Sequence, residues 1–366
     1  MATPVPIRST VMGQLPYVSF ALYGRNDQYT PNYLKRVNRA TLCLARQLEQ
    51  AAVRSEIVFT EWNPLPGQPL VVDSLEVPAT LRYVTIRGYI VPEEHHRRLA
   101  GAHNRIPGGE ASNVSIRRSR GRFITPKASD SFLSPDVIAM IARQDLDVEA
   151  MYRSDRHDVV IDDEQIWQLE DDALLDRLMH LPASRHAFIV QKAYWKIREL
   201  HTNACGDFLL MANPLWNEVR GHPRDTTTLA LDLDSLVMHA AASLGIRECR
   251  WPDSCRVFKP QHGGMSSVRV EQAWRPWQWH LDRFVATHLS EAIAHRFRLL
   301  MDYPRRRVRG AESALAPSFE RHFVDRASRW NRGERFVPDQ PEDWGLASAP
   351  LEQRQLCVAE WDRPEA

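Results

Sequence analysis

The chain switches repeatedly between two hydrophobic periods, and that alternation limits its architecture more than any other feature. The run Tyr17-Val18-Ser19-Phe20-Ala21-Leu22-Tyr23 is short and apolar and ends at Gly24, which reads as a buried strand entering a turn. From Asn32 onward, Leu34, Val37, Leu44, Leu48 and Ala51 recur at three-, four- and seven-residue steps, the spacing of one buried helix face. Further strands are predicted over residues 56–60, stopped by Glu61-Trp62-Asn63-Pro64, and over residues 81–86. Residues 110–119 predict a helix with Gly121 as its C-cap, followed by a strand over 122–125. Ser134 is placed to cap a helix over 135–145. Residues 160–185 are acidic and irregular and read as an insertion. A helix over 194–200, a strand over 206–211 and a helix over 231–244 complete the pattern. Strands alternating with helices predict an α/β fold, with a mostly parallel sheet of the doubly wound kind flanked by helices.

In such sheets ligands sit at the carboxyl ends of the strands. Three polar groups fall there: Gly24-Arg25-Asn26-Asp27, Glu61-Trp62-Asn63 and Ala128-Ser129-Asp130. A 43% hydrophobic share of 366 residues is enough for a sizeable core. The net charge of +1 lacks the basic excess of a nucleic-acid binder. Cysteines at 43, 205, 249, 255 and 357 form no CxxC pair, so neither a zinc ribbon nor a disulfide framework is expected; a Cys249–Cys255 pair is the less favoured alternative to reduced thiols. The N-terminus carries no signal-peptide core and no stretch of 18 apolar residues occurs, so a cytoplasmic protein without a membrane span is expected. Residues 1–16 read as a tail and 17–265 as the main domain. Residues 266–366 read as a mainly helical C-terminal extension holding Trp274, Trp277, Trp279 and Trp330 and the basic run Arg305-Arg306-Arg307-Val308-Arg309. That run is a solvated face, or a surface for peripheral contact with an anionic membrane.

Several residues carry candidate chemistry. Asp130 follows a predicted strand and precedes a helix, where a carboxylate can hold Mg2+ or Mn2+, ions that take oxygen ligands and bridge phosphates; read alone, a turn or capping aspartate is the favoured reading. Asp232 and Asp234 flank Leu233 at the start of an apolar-faced helix, and a carboxylate there either caps the helix or takes a proton from an acceptor hydroxyl. The segment His201-Thr202-Asn203-Ala204-Cys205-Gly206-Asp207-Phe208 suits a pocket wall, with Gly206 allowing close backbone approach. His262 lies in the loop Lys259-Pro260-Gln261-His262-Gly263-Gly264, solvated or available to a metal or diphosphate. The tryptophans at 274, 277 and 279 can stack on sugar rings or simply pack.

Taken in order, these signals resemble the family 2-like glycosyltransferases of GT-A fold over roughly residues 17–265. The likeness is carried by residues 18–40, by Glu56-Ile57-Val58-Phe59-Thr60-Glu61-Trp62-Asn63-Pro64, by residues 112–130 with Asn113, Gly121 and Asp130 in register, and by residues 205–223 followed by Asp234. Ala128 stands where the family has the first carboxylate of Asp-x-Asp, Leu233 replaces a Glu before Asp234, and Trp62 replaces the second acidic position after Glu61. The resemblance implies a cytoplasmic enzyme that takes a UDP- or GDP-linked sugar and passes it, with inversion, to the hydroxyl of a glycan or small-molecule acceptor. It implies Mn2+ or Mg2+ held by Asp130 and His262. It also implies a base at Asp234 with Asp207 beside it, and donor contacts from Tyr23, Arg25, Asp27, Glu61, Asn63, Asn113, Arg117, Ser129 and Gly206. A homodimer is allowed and no nucleic acid is expected. The alternatives are a non-catalytic carbohydrate- or partner-binding protein on a degenerate transferase scaffold, favoured by Ala128, and a sugar nucleotidyltransferase, disfavoured by the single glycine of the first turn.

Overall fold

The computed structural model describes residues 15–27, 32–78, 81–100, 106–185, 200, 205–224, 233–261, 333–335 and 337–363. Strand β1 (Val18–Gly24), helix α1 (Tyr33–Gln50) and strand β2 (Ser55–Trp62) fall where the hydrophobic periods place them. β3 (Val84–Val91) begins later than expected. Helices α2 (Glu93–Ala100) and α3 (Gly108–Arg118) lead to β4 (Phe123–Pro126). Gly121 is not a helix cap: α3 ends at Ser119 in extended backbone, and a Cβ at Gly121 would lie 2.7 Å from the Ser19 backbone nitrogen, so the glycine lets the chain pass close against β1. Next come β5 (Phe132–Leu133), α4 (Pro135–Ala142), β6 (Ala150–Arg153) and β7 (Asp155–Val159). Ser134 precedes α4 but does not cap it; its hydroxyl donates to Ser254 O and accepts from Arg256 N. The segment expected to be irregular forms α5 (Asp163–Gln168), α6 (Asp171–His180) and β8 (Ala183–Arg185), with its acidic residues at the helix starts, where they favour the positive end of the helix dipole. A 3-10 turn (Cys205–Asp207), β9 (Leu209–Ala212), α7 (Asn213–Val219), α8 (Leu233–Ser243), β10 (Arg247–Arg250) and β11 (Arg256–Pro260) follow. The strand expected from Gly206 therefore starts later, at Leu209. The helix expected over 194–200 lies outside the described residues except for Leu200.

The main sheet has the order β10-β6-β9-β4-β1-β2-β3-β12, with β12 spanning Glu352–Cys357. β4, β1, β2 and β3 are mutually parallel, as are β10 and β6; β9 runs against β4 and β6, and β12 against β3. The result is a mixed, mostly parallel sheet flanked by helices, as expected. Successive strands progress outward from β1 to β3 on one side, whereas β4 lies on the other side of β1. That reversal makes the carboxyl ends of β1 and β4 the switch point of the sheet, the place where open α/β sheets take ligands. A second sheet, β5-β11-β7-β8, is built from chain that has just left β4, β6 and β10, so it stands beside the same end.

Alternate residues of the strands face opposite layers. Val18, Phe20 and Leu22 pack with Val37, Leu44 and Leu48 of α1. Ala21, Ile124 and Met211 face Trp216 and the apolar side of α8. Val58 and Trp62 meet Ala111 and Val114 of α3. Each of these fully buried large side chains contributes about 1.5–3 kcal/mol.

Most of the expected helical extension lies outside the described residues. Its described end is not helical beyond short 3-10 turns: it returns as β12 to the edge of the main sheet. Glu56, fully buried at the start of β2, accepts from Ser19 (2.7 Å) and from Arg87 (2.8 Å), and pairs with Arg120 at 3.2 Å. Arg120 continues to Asp362 at 2.7 Å, and Arg118 donates to the carbonyls of Gly345, Leu346 and Ala349. Cys43, Cys249, Cys255 and Cys357 are free thiols.

Candidate functional site

The turn after β1 is fixed from within. Arg25 is buried and pairs with Asp27 at 2.9 Å, and Asn26 donates to Pro69 O at 3.2 Å. Tyr33, the first residue of α1, shares a hydrogen bond with Ser129 at 3.2 Å, which ties the start of α1 to the loop after β4.

That loop carries the main charges. The Lys127 backbone continues the ladder to Ala21 O at 3.1 Å, and its buried side chain donates to Ala128 O at 2.9 Å. Burial pushes the ammonium down to about 7; Asp130 opposes the shift and Lys259 adds to it. Asp130, 2% exposed, is ion-paired with Lys259 of β11. Tyr23 lies within reach of the same charges: burial raises its phenol, Lys259 lowers it, and Asp207, Asp234 and Asp130 raise it further. Asp207 pairs with Arg156 of β7 at 2.8 Å, and Arg156 also holds Asp158 at 3.1 Å. Asp234, in the first turn of α8, accepts from the Gly206 backbone N–H. A Cβ at Gly206 would lie 2.9 Å from that carboxylate, so the glycine permits the contact.

His222 stands behind Asp234. Burial pulls its imidazole down to about 4, with Asp234 and the Leu233 backbone opposing. Its backbone is clasped by Asn113, whose Oδ1 accepts from His222 N at 2.7 Å while its Nδ2 donates to His222 O at 3.0 Å.

Tyr23, Asp130, Asp207, Gly206 and Asp234 are thus brought together beside the switch point, with Ser129 and the Arg25–Asp27 pair on the loops after β4 and β1. Other expected contacts are not. Asn113 is fully buried and holds a turn instead of a ligand. Arg117 lies in the last turn of α3, toward the amino end of β4, bonded to Asn217 and stacked 5.1 Å from the Trp344 ring centroid. Glu61, 1% exposed, accepts from Val72 N at 2.9 Å and secures the following loop instead of presenting an oxygen to solvent; burial lifts it to about 7. Asn63 takes a left-handed φ of 47° and bonds through its N–H to Val91 O. His262, Asp232 and the tryptophans at 274, 277 and 279 lie outside the described residues. Lys127, Arg156, His222 and Lys259 are site residues that sequence reasoning passed over. Lys127 and Lys259 each stand three positions before a residue that was singled out, Asp130 and His262.

No group of three or more His, Cys, Asp or Glu able to hold a metal gathers among the described residues. Asp130, the one described carboxylate expected to bind Mn2+ or Mg2+, already has a lysine against it. The described part of the expected donor set, Asp130 alone, does not supply the several oxygen ligands that a divalent cation needs. No helix among the described residues is long and apolar enough to cross a membrane.

No protein-family model matches the chain, and no curated protein matches it. Among solved structures it is similar to S. aureus TarS 1-349, at 10% identity and a TM-score of 0.39, over 66% of this chain and 60% of that one. It is also similar to S. aureus TarS 1-349 in complex with UDP, at 11% identity and a TM-score of 0.37, over 67% and 60%. The matched part spans 60% of the length of those solved chains.

Proposed function

We propose that the chain is a glycosyltransferase of GT-A type that takes a sugar from a UDP- or GDP-linked donor and transfers it to a hydroxyl of a glycan or small-molecule acceptor. The observation that carries the reading is where the ionic cluster lies. Lys127, Asp130, Lys259, Tyr23, Asp207 and Asp234 converge at the switch point between β1 and β4, the place where open α/β sheets take nucleotides. Asp234 is the base. Held by the Gly206 N–H, it receives the acceptor's proton as the acceptor oxygen bonds to the anomeric carbon and the bond from that carbon to the diphosphate breaks. Backside attack inverts that carbon. The Arg25–Asp27 turn lies on the nucleotide side. No step is assigned to a divalent cation, since the described ligands do not fit one.

A thermal-shift panel of UDP-, GDP- and TDP-sugars with the intact chain tests the reading. A ligand bound only by the native state, at 100 times its dissociation constant, adds about 2.7 kcal/mol, so one nucleotide class is expected to raise the melting midpoint visibly. Sugar transfer is then expected to fall about 100-fold or more in Asp234→Asn, with the midpoint retained. Silence toward all three nucleotides would remove the donor site. Binding without turnover would favour the non-catalytic scaffold.

A further inference from the structure

The disagreement between the expected metal site and the residues present carries an inference of its own. It rests on the transferase reading and names how the same site takes its donor. A divalent ion at Asp130 would need that carboxylate's lone pairs together with several more oxygen ligands. Asp130 is 2% exposed, and Lys259 is already paired with it. Lys127 is buried at the base of the same loop. The other described acids near Tyr23 and Arg156 are engaged: Asp158 and Asp207 share Arg156, and Asp234 accepts from Gly206 N–H. Among the described residues, Lys127 and Lys259 thus both lie beside Asp130 at the loop after β4.

A lysine ammonium is a compact charge on a flexible four-carbon stem, and lysine is a common phosphate ligand. The Lys259 side chain is 20% exposed and Asp130 is 2% exposed, so of the two partners the lysine is the one a solute can meet. We propose that Lys259, backed by Lys127, is the cation that meets the donor's diphosphate, and that nucleoside diphosphates bind this site without a divalent metal. In the ligand-free chain Asp130 holds Lys259 in place; on binding, the ammonium turns to the phosphate oxygens while keeping Asp130 behind it.

The test uses UDP and GDP as probes on the full chain, by calorimetry in EDTA and again in MnCl2. The expected result is binding in EDTA that Mn2+ does not improve. Lys259→Met should then raise Kd about ten- to hundredfold, the weight of one charged hydrogen bond. Asp130→Asn should lower Kd, because the lysine is released from its carboxylate. Lys259→Met alone leaves a buried carboxylate unmatched, so the double variant Asp130→Asn/Lys259→Met, whose charge balance is kept, controls for folding by circular dichroism and must show the same weakening. Binding that appears only with MnCl2 and disappears in Asp130→Asn would overturn the proposal and leave the transferase reading standing. Binding in EDTA that is indifferent to Lys259→Met would also overturn it. Absence of UDP and GDP binding under both conditions would count against the transferase reading itself, and this proposal would fall with it.

Discussion

Glu61 places a carboxylate, 1% exposed, under the loop that follows β2, with one oxygen on Val72 N–H. Burial raises its folded pKa from 4.5 to about 7. Between those values the folded chain binds more protons than the unfolded one. The stability this group contributes is present below pH 4.5 and is lost as pH rises through about 7. Glu61→Gln keeps the shape and removes the titration. Its advantage over the wild type should therefore grow between pH 5 and pH 8 by up to about 3 kcal/mol, since one pKa unit corresponds to about 1.36 kcal/mol. Urea denaturation at the two pH values reads this, and an equal difference at both would show that the carboxylate titrates normally. His222 and His239 act in the opposite sense. Burial lowers both to about 4, so their contribution is lost as pH falls from 6.5 toward 4. The wild-type curve sums these effects, and only the difference between variant and wild type isolates Glu61.

At the scale of elements, the turn between α7 and the described end of its loop depends on one clasp. Gly221 has φ of +67°, and a Cβ there would fall 2.2 Å from Asn113 Oδ1. Gly221→Ala should cost about 1–3 kcal/mol from the left-handed backbone alone, with more from the clash. Asn113→Ala leaves the His222 N–H without its acceptor, whereas the His222 carbonyl keeps Gln340 at 3.1 Å; a loss of about 1–3 kcal/mol is expected. Because His222 adjoins Asp234, transfer activity should fall further than stability does. Chemical denaturation beside initial rates separates the two, and equal losses would make the clasp a purely structural device. The clasp also explains why Asn113 looked like a ligand in the sequence: an invitingly placed polar residue on a helix was serving a turn 109 residues away. α1, β1, β2 and α3 were legible because apolar periodicity is local. β6, β7, β10 and β11 were not. β7 reads Asp155-Arg156-His157-Asp158-Val159, and its charges are matched by Asp207 and Arg250 from distant segments, so the strand lacks the apolar alternation that marks one. The same distance hid part of the site. Asp130, Asp207 and Asp234 could be placed from their neighbours in sequence, but Lys259 meets Asp130 only after the small sheet has formed.

On the scale of the whole molecule, the C-terminal segment is part of the main layer. β12 covers the β3 edge, and an uncovered edge strand offers unpaired backbone groups to other chains. The amino end of the parallel strands, opposite the candidate site, holds a second ionic assembly. Glu56, with no exposed surface, is matched by Arg87 and Arg120, and Arg120 reaches Asp362. Asp362 also accepts from Thr85, and Arg118 is spread over three carbonyls of the returning chain. Breaking a buried pair by removing one partner costs about 3–5 kcal/mol, because the other charge stays buried. Glu56→Gln should therefore lower stability by about that amount, whereas Asp362→Asn, whose Arg120 partner is 38% exposed, should cost about 1 kcal/mol or less. Ending the chain before Asp343 removes β12, the Arg118 acceptors and Asp362 together. Against a total stability of about 5–15 kcal/mol, that combination should leave the truncated chain largely unfolded or aggregated at 25 °C. Circular dichroism with light scattering tests it. A truncated chain that melted at the wild-type midpoint, monomeric and still binding nucleotide, would show that β12 merely decorates the sheet. If it fails to fold while Asp362→Asn is nearly normal, the stabilisation comes from the returning backbone and the Arg118 carbonyl contacts rather than from the exposed end of the ionic chain.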